Sequence, residues 1–175
     1  MQTIVLAGNP QLRQPNAQIN EQLFNSAQLQ NMVDMLFSTM KATHGAGLAA
    51  PQIGLSYQLL VYGFDHNPRY PDQAPVPLSV MLNPKILRAS EKMIEIYEGC
   101  LSLPELRGLV PRHEWVEVKA QNINGETFTK TYHGFEARII QHEIDHLNAT
   151  LFPERVADLK TLGMLSALRA ANIVP

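Results

Sequence analysis

Apolar positions between residues 26 and 44 close one helical face: Leu29, Met32, Val33, Leu36 and Met40 fall at i, i+3, i+4, i+7 and i+11. Ser26 stands where an N-cap belongs, and His44-Gly45-Ala46-Gly47 favours a turn, so this helix is expected to stop near Gly45. The methionines on its face read as core packing. A strand-like run follows at Leu59–Phe64. Residues 65–77 then carry Pro68, Pro71, Pro75 and Pro77, which exclude a helix or a central strand and mark a surface loop.

The period then shortens to two. Strands are expected over residues 78–82, 86–89 and 93–97, and Val116, Val118 and Ala120 alternate with Glu117 and Lys119 as in a half-buried strand. Asn124-Gly125 is a hairpin turn signal, with alternation resuming over residues 127–132. From Phe135 the period returns to 3.6: Ile139, Ile140, Ile144 and Leu147 form an apolar stripe on a second helix, which Pro153 would end. A third amphipathic helix is expected over residues 158–171, with Leu159, Leu162, Leu165 and Leu168 on one side. This order reads as α+β: antiparallel strands packed around a central helix, with helices near either end, in one domain spanning residues 1–175.

Composition narrows the class. With 45% hydrophobic and 17% charged residues the 175-residue chain is neither disordered nor collagen-like. A net charge of −2, with no cluster of Lys or Arg, argues against a broad nucleic-acid footprint. One cysteine excludes an intramolecular disulfide. No stretch approaches the roughly 20 apolar residues of a membrane span, and the first eight residues lack a basic leader region, so a soluble, cytoplasmic protein is expected.

The strongest chemical signal is His142-Glu143-Ile144-Asp145-His146. Four residues apart on a helix, two side chains point about 40° apart and one turn along the axis, so both imidazoles can reach one metal ion. Glu143 flanks that face, within reach of a metal-bound water without itself being a ligand. Against this stands the plain alternative of two surface histidines on a polar face.

A catalytic tetrahedral site needs a third protein ligand and an open position. The metzincin pattern fails, because Ala149 and Phe152 occupy the places of its glycine and third histidine. Glu154 or Asp158 could supply a carboxylate, although Pro153 interrupts the approach. The remaining candidate is Cys100, in Glu98-Gly99-Cys100-Leu101-Ser102-Leu103-Pro104, an irregular segment able to expose both Sγ and the Leu101 N–H.

A third constellation is the run from Gly45 to Gly54, whose glycines and small residues suit a backbone pressed close to a ligand. It has neither the Lys-Ser/Thr ending nor the spacing of a phosphate loop. Gln52 is its one side chain able to donate a hydrogen bond, a candidate partner for an oxyanion. His44, His66, His113 and His133 fall in loops or at strand ends and read as structural.

Taken in order, these three stretches resemble the signature motifs of the peptide deformylases. Gly45-Ala46-Gly47-Leu48-Ala49-Ala50-Pro51-Gln52 is similar to the first, Glu98-Gly99-Cys100-Leu101-Ser102 to the second, and Gln141-His142-Glu143-Ile144-Asp145-His146 to the third. The likeness runs from Asn9-Pro10-Gln11-Leu12-Arg13 to Leu151-Phe152. Three positions depart from the family pattern: Ala149 stands at a usual Gly, Asn9 at a common Asp and Gln58 at a frequent Arg.

The resemblance implies a peptide deformylase-like fold and hydrolysis of the N-terminal formyl group from formyl-methionyl nascent polypeptides. Cys100, His142 and His146 would hold a divalent metal with a bound water as nucleophile, and Glu143 would act as general base and then acid. The Leu101 N–H and Gln52 would meet the developing oxyanion. Gly45, Gly47 and Leu48 would lie against the substrate, Ile96, Leu101 and Phe135 would shape the methionine pocket, and Arg138 would fall on its wall. The implied metal is Fe(II), with Zn, Ni or Co able to replace it. Partners would be formyl-methionyl nascent peptides, with a ribosome contact near the exit tunnel, no direct nucleic-acid specificity and no membrane. The competing readings are a zinc endopeptidase using a distant carboxylate, which would keep its metal without Cys100, and a non-catalytic ribosome-docking module, which would have no need of Glu143.

Overall fold

In the computed structural model, which describes residues 2–174, Ser26 caps helix α1 (Ala27–Ala42) by accepting from the Leu29 N–H at 3.1 Å. Met1 and Pro175, the ends of the expected 1–175 domain, lie outside the described residues. The helix stops as expected. The left-handed residue at its end is His44 (φ 52°), and the Gly45 N–H closes the turn on the Met40 carbonyl at 2.9 Å.

Strands β1 (Gly47–Ala49), β2 (Leu59–Phe64) and β3 (Val76–Ala89) follow, then β4 (Met93–Cys100), β5 (Leu103–His113), β6 (Trp115–Gln121) and β7 (Thr127–His133). Helix α2 (Gly134–Leu147), strand β8 (Gly163–Met164) and helix α3 (Leu165–Ala170) complete the order. Every pairing between these strands is antiparallel, in two sheets ordered β1-β2-β3-β6-β7 and β4-β5-β8. The α+β expectation is met. No helix among the described residues is long and apolar enough to cross a membrane.

The larger sheet lies between two helices. Leu29, Val33 and Leu36 of α1 pack with Leu48, Leu59, Val61 and Leu82 on one side of it. Ile140, Ile144 and Leu147 of α2 pack with Leu60, Tyr62, Val116 and Val118 on the other. All six residues of β2 are buried because both faces are covered, which explains a continuous apolar run where a one-sided strand would alternate.

Four expectations need correction. The strands placed at 78–82 and 86–89 are one strand, β3. Asn83-Pro84 looked like a break but forms a bulge, with Asn83 left-handed at φ 50° and its side chain bonded to both backbone groups of Ile19. The irregular segment around Cys100 is instead a tight reversal: Cys100 ends β4 and pairs with Leu103 of β5, a strand that Pro104, Gly108 and Pro111 disguised. Helix α2 ends at Leu147, well before Pro153, where Ala149 adopts φ 57°. The helix expected over 158–171 is a short 3-10 turn (Leu159–Thr161), β8 and α3. Leucines exactly three apart drift around an α-helix by about 60° per step, and Gly163 pairs with Arg107 of β5 instead.

Candidate active site

Helix α2 turns its back to the core and a mixed face to a cleft of about 560 Å³. Phe135, Arg138, Ile139, His142 and Glu143 line the cleft, falling at i, i+3, i+4, i+7 and i+8. Gly45, Ala46 and Gly47 line its opposite wall, and Ile96, Cys100 and Leu101 approach from β4 and its turn.

At one end of the cleft, ligand atoms of Cys100, His142 and His146 all lie within 4.8 Å of one another. Cys100 Sγ is 3.2 Å from His146 Nε2. His142 donates from Nδ1 to Glu98 Oε2 at 2.9 Å, which leaves its Nε2 free to ligate. Burial alone would push the Cys100 thiol up, but the two imidazoles beside it hold it well below the usual thiol range, in the thiolate form a metal needs. One soft sulfur and two borderline nitrogens suit a transition metal and not Mg or Ca. The donor set therefore fits a metal ion, whereas Glu154 and Asp158 are occupied elsewhere. Glu154 pairs with Arg13 and accepts from the Leu151 N–H, and Asp158 caps a 3-10 turn.

Glu143 is only 4% exposed, and its Oε2 has no hydrogen-bond partner among the described residues. Burial pushes its carboxyl up to about 7, the range in which a base can take and return a proton near neutrality. Its position depends on Gly47. A Cβ there would stand 2.6 Å from Glu143 Oε1 and 2.8 Å from Ile139 Cγ2.

Gln52 has a fixed orientation. Its Oε1 accepts from the Ala49 N–H at 2.9 Å, so its Nε2 points to Cys100 Sγ at 3.5 Å and Ser102 Oγ at 3.3 Å. The Gly63 N–H donates to the Ala46 carbonyl, so residues 46 and 48 turn their backbone groups towards β2 and Gly47 turns its own to the open edge. Leu48 is a correction on both counts: its side chain has 0% exposure, packed in the α1 cluster, and its backbone faces Val61. Gly45 does line the cleft, where a Cβ would meet Leu101 Cδ1 at 3.0 Å.

Glu98 opens the second motif, and its role is not evident from the sequence. Buried beside Cys100, it accepts from Arg112 Nε and Nη2, both at 3.0 Å, from Arg138 Nη1 at 2.6 Å and from His142. Burial would raise its pKa, yet His142 and Arg112 hold it well below the usual carboxylate range. Arg112 also bonds Asp145 Oδ2 at 2.5 Å, and Arg155 closes on the same carboxylate. Period-two alternation from Cys100 along β4 was the available signal, since it places Glu98 on the same buried face as the thiol. Nothing local pointed to Arg112. The 65–77 loop also contributes, with Tyr70 on the cleft wall 4.9 Å from the Phe135 ring.

A thiolate and two imidazoles beside a buried carboxylate define the class as a metal-dependent hydrolase. The family model for polypeptide deformylase matches residues 1–162. Peptide deformylase 1 of Nitrosomonas europaea is 42% identical over 165 residues, 94% of this chain and 93% of the relative. Peptide deformylase 2 of Ralstonia nicotianae is 44% identical over 147 residues, 84% of this chain and 83% of its own. The crystal structure of a class I type b peptide deformylase from Acinetobacter baumannii with Met-Ala-Ser bound superposes with a TM-score of 0.86. It is 40% identical, covering 89% of this chain and 98% of that one. The chain belongs to the peptide deformylase family. It is a hydrolase that removes the N-terminal formyl group from nascent polypeptides.

Proposed function

We propose that Cys100, His142 and His146 hold one divalent ion and that the residues around it carry out deformylation, residues 1–175 working as one domain. The convergence of those three ligand atoms within 4.8 Å is the observation that carries this reading. A bound ion would supply Lewis-acid activation of water and of the formyl oxygen.

The open edge of Gly47 offers one N–H and one C=O to an extended peptide, as a strand added to β1. The methionine side chain enters between Ile96 and Phe135, and Gly45 leaves room beside it. This places the formyl oxygen towards the Gln52 Nε2 donor and the Leu101 N–H, which stabilise it as charge develops. Glu143 Oε2, unpartnered and beside the ligands, takes the proton from the attacking water. It returns that proton to the leaving amine, so the products are formate and a free N-terminus.

Membership of the family points to Fe(II) as the working ion, and the thiolate suits Zn, Ni or Co in the same site. A reduced, ligating Cys100 suits the cytoplasm, and a nascent-chain substrate suits work close to the ribosomal exit tunnel. Formate release from formyl-Met-Ala-Ser, with metal analysis after anaerobic purification, tests the reading. One ion per chain with turnover supports it, and a metal-loaded protein that releases no formate refutes it.

A further inference from the structure

Phe135, Ile96 and Ile139 make an apolar pocket wall, and Arg138 interrupts it. Arg138 is 5% exposed and lies one helical turn before His142. Its Nη1 donates to Glu98 Oε1 at 2.6 Å and to the Val110 carbonyl at 3.0 Å, and its Nη2 donates to the Ile94 carbonyl. A guanidinium carries five N–H groups. Among the described residues these bonds use three.

The carboxylate that Arg138 meets is already shared. Both oxygens of Glu98 receive Arg112, and one also receives His142. Arg112 in turn shares Asp145 with Arg155. Three guanidiniums thus face two carboxylates, and of the three only Arg138 lines the cleft. Spare donors on a nearly buried cation are left at the wall of the side-chain pocket, where an acceptor on the substrate would satisfy them.

We propose that Arg138 makes this pocket select first side chains that carry a hydrogen-bond acceptor near their tip. Formyl-methionine sulfoxide, whose S=O is a strong acceptor, is then a good substrate, and formyl-norleucine, of similar length with no acceptor, is a poor one. The methionine thioether is a weak acceptor and falls between them. A wholly apolar pocket gives the reverse order, because the sulfoxide would lose its water and gain no partner. The inference rests on the deformylase reading and on the pocket lying beside Ile96 and Phe135.

The test compares kcat/KM of the metal-loaded full chain on formyl-Met-Ala-Ser and on its sulfoxide and norleucine analogues. Turnover of the parent peptide checks the deformylase reading, and only the ratio of the two analogues checks the role of Arg138. A charge-assisted hydrogen bond should favour the sulfoxide over norleucine by about tenfold or more. Arg138→Met should invert that ratio, and Arg138→Lys, which keeps a donor, should retain part of it. Should Arg138→Met fail to fold, the wild-type ratio and the Lys variant still decide. Norleucine turned over as well as the sulfoxide by wild type overturns the proposal, and so does a sulfoxide preference unchanged in Arg138→Met.

Discussion

Helix α2 and the β4–β5 hairpin both supply the proposed metal site, by opposite means. The helix fixes two of the proposed ligands through local geometry, since the spacing of His142 and His146 alone puts them on one face. The hairpin supplies Cys100 through strand pairing and through ion pairs that reach back to the helix. Arg112, on β5, grips Glu98 of β4 and Asp145 of α2 together. A donor set split this way is only as precise as the link between its halves. Here the link is a buried charge network, strongly destabilised if one partner is removed.

The comparison can be broken most completely at its two ends. Cys100→Ala removes the ligand proposed for the hairpin, so bound metal and turnover are both expected to vanish. Glu143→Ala, on the helix, should leave metal content intact while formate release falls by roughly 10²–10⁴-fold. Metal analysis beside a formate assay separates the two outcomes.

A smaller effect is expected where the helix meets the first sheet. In Gly47→Ala the added methyl must displace Glu143 or Ile139, because it would sit 2.6 Å from Glu143 Oε1. A base shifted by about 1 Å should lower kcat by about 10²-fold, with a stability loss of only about 1–3 kcal/mol. Steady-state kinetics and a melting curve on the same sample would show this split.

The link itself can be loosened with acid. Burial works against the ionised forms of Glu98 and Asp145, but their partners hold both pKa values below the ordinary range. Depressed folded values mean that their contribution is complete above the unfolded values near 4, and is lost as pH falls through the folded ones. Glu143, raised to about 7, has the opposite sign between roughly pH 4 and 7. The decline should therefore be read below about pH 4, as a fall in Tm that steepens with each step of acid.

The smallest effect is at the end of α2. Ala149 sits at φ 57°, a left-handed conformation that costs a residue with a Cβ about 1 kcal/mol. Ala149→Gly should raise stability by about 0.5–1 kcal/mol with no change in kcat, measurable by denaturant titration.

The same contrast explains what could be read along the chain. The α2 stripe, the Ser26 cap and the Asn124-Gly125 hairpin are set by neighbours within a turn or two, and the folded chain keeps all of them. Ala149 was visible as a departure from the family's glycine, and its backbone angle now gives that departure a physical meaning. Strand β5 was hidden because its prolines and Gly108 contradict local strand preference, while pairing with β4 and β8 overrides it. Leu48 sat within a motif, and motif membership could not reveal that its side chain points to α1 while Gly47 turns its backbone outward. Glu98 and Arg112 are fourteen residues apart in sequence, and only the hairpin makes them partners.

X-ray absorption on the zinc-loaded protein reads the coordination of the ion directly. The spectrum should contain one sulfur at about 2.3 Å and two imidazole nitrogens at about 2.0–2.1 Å. A first shell of nitrogen and oxygen only in the wild-type protein would contradict the shared site on which the chemistry depends.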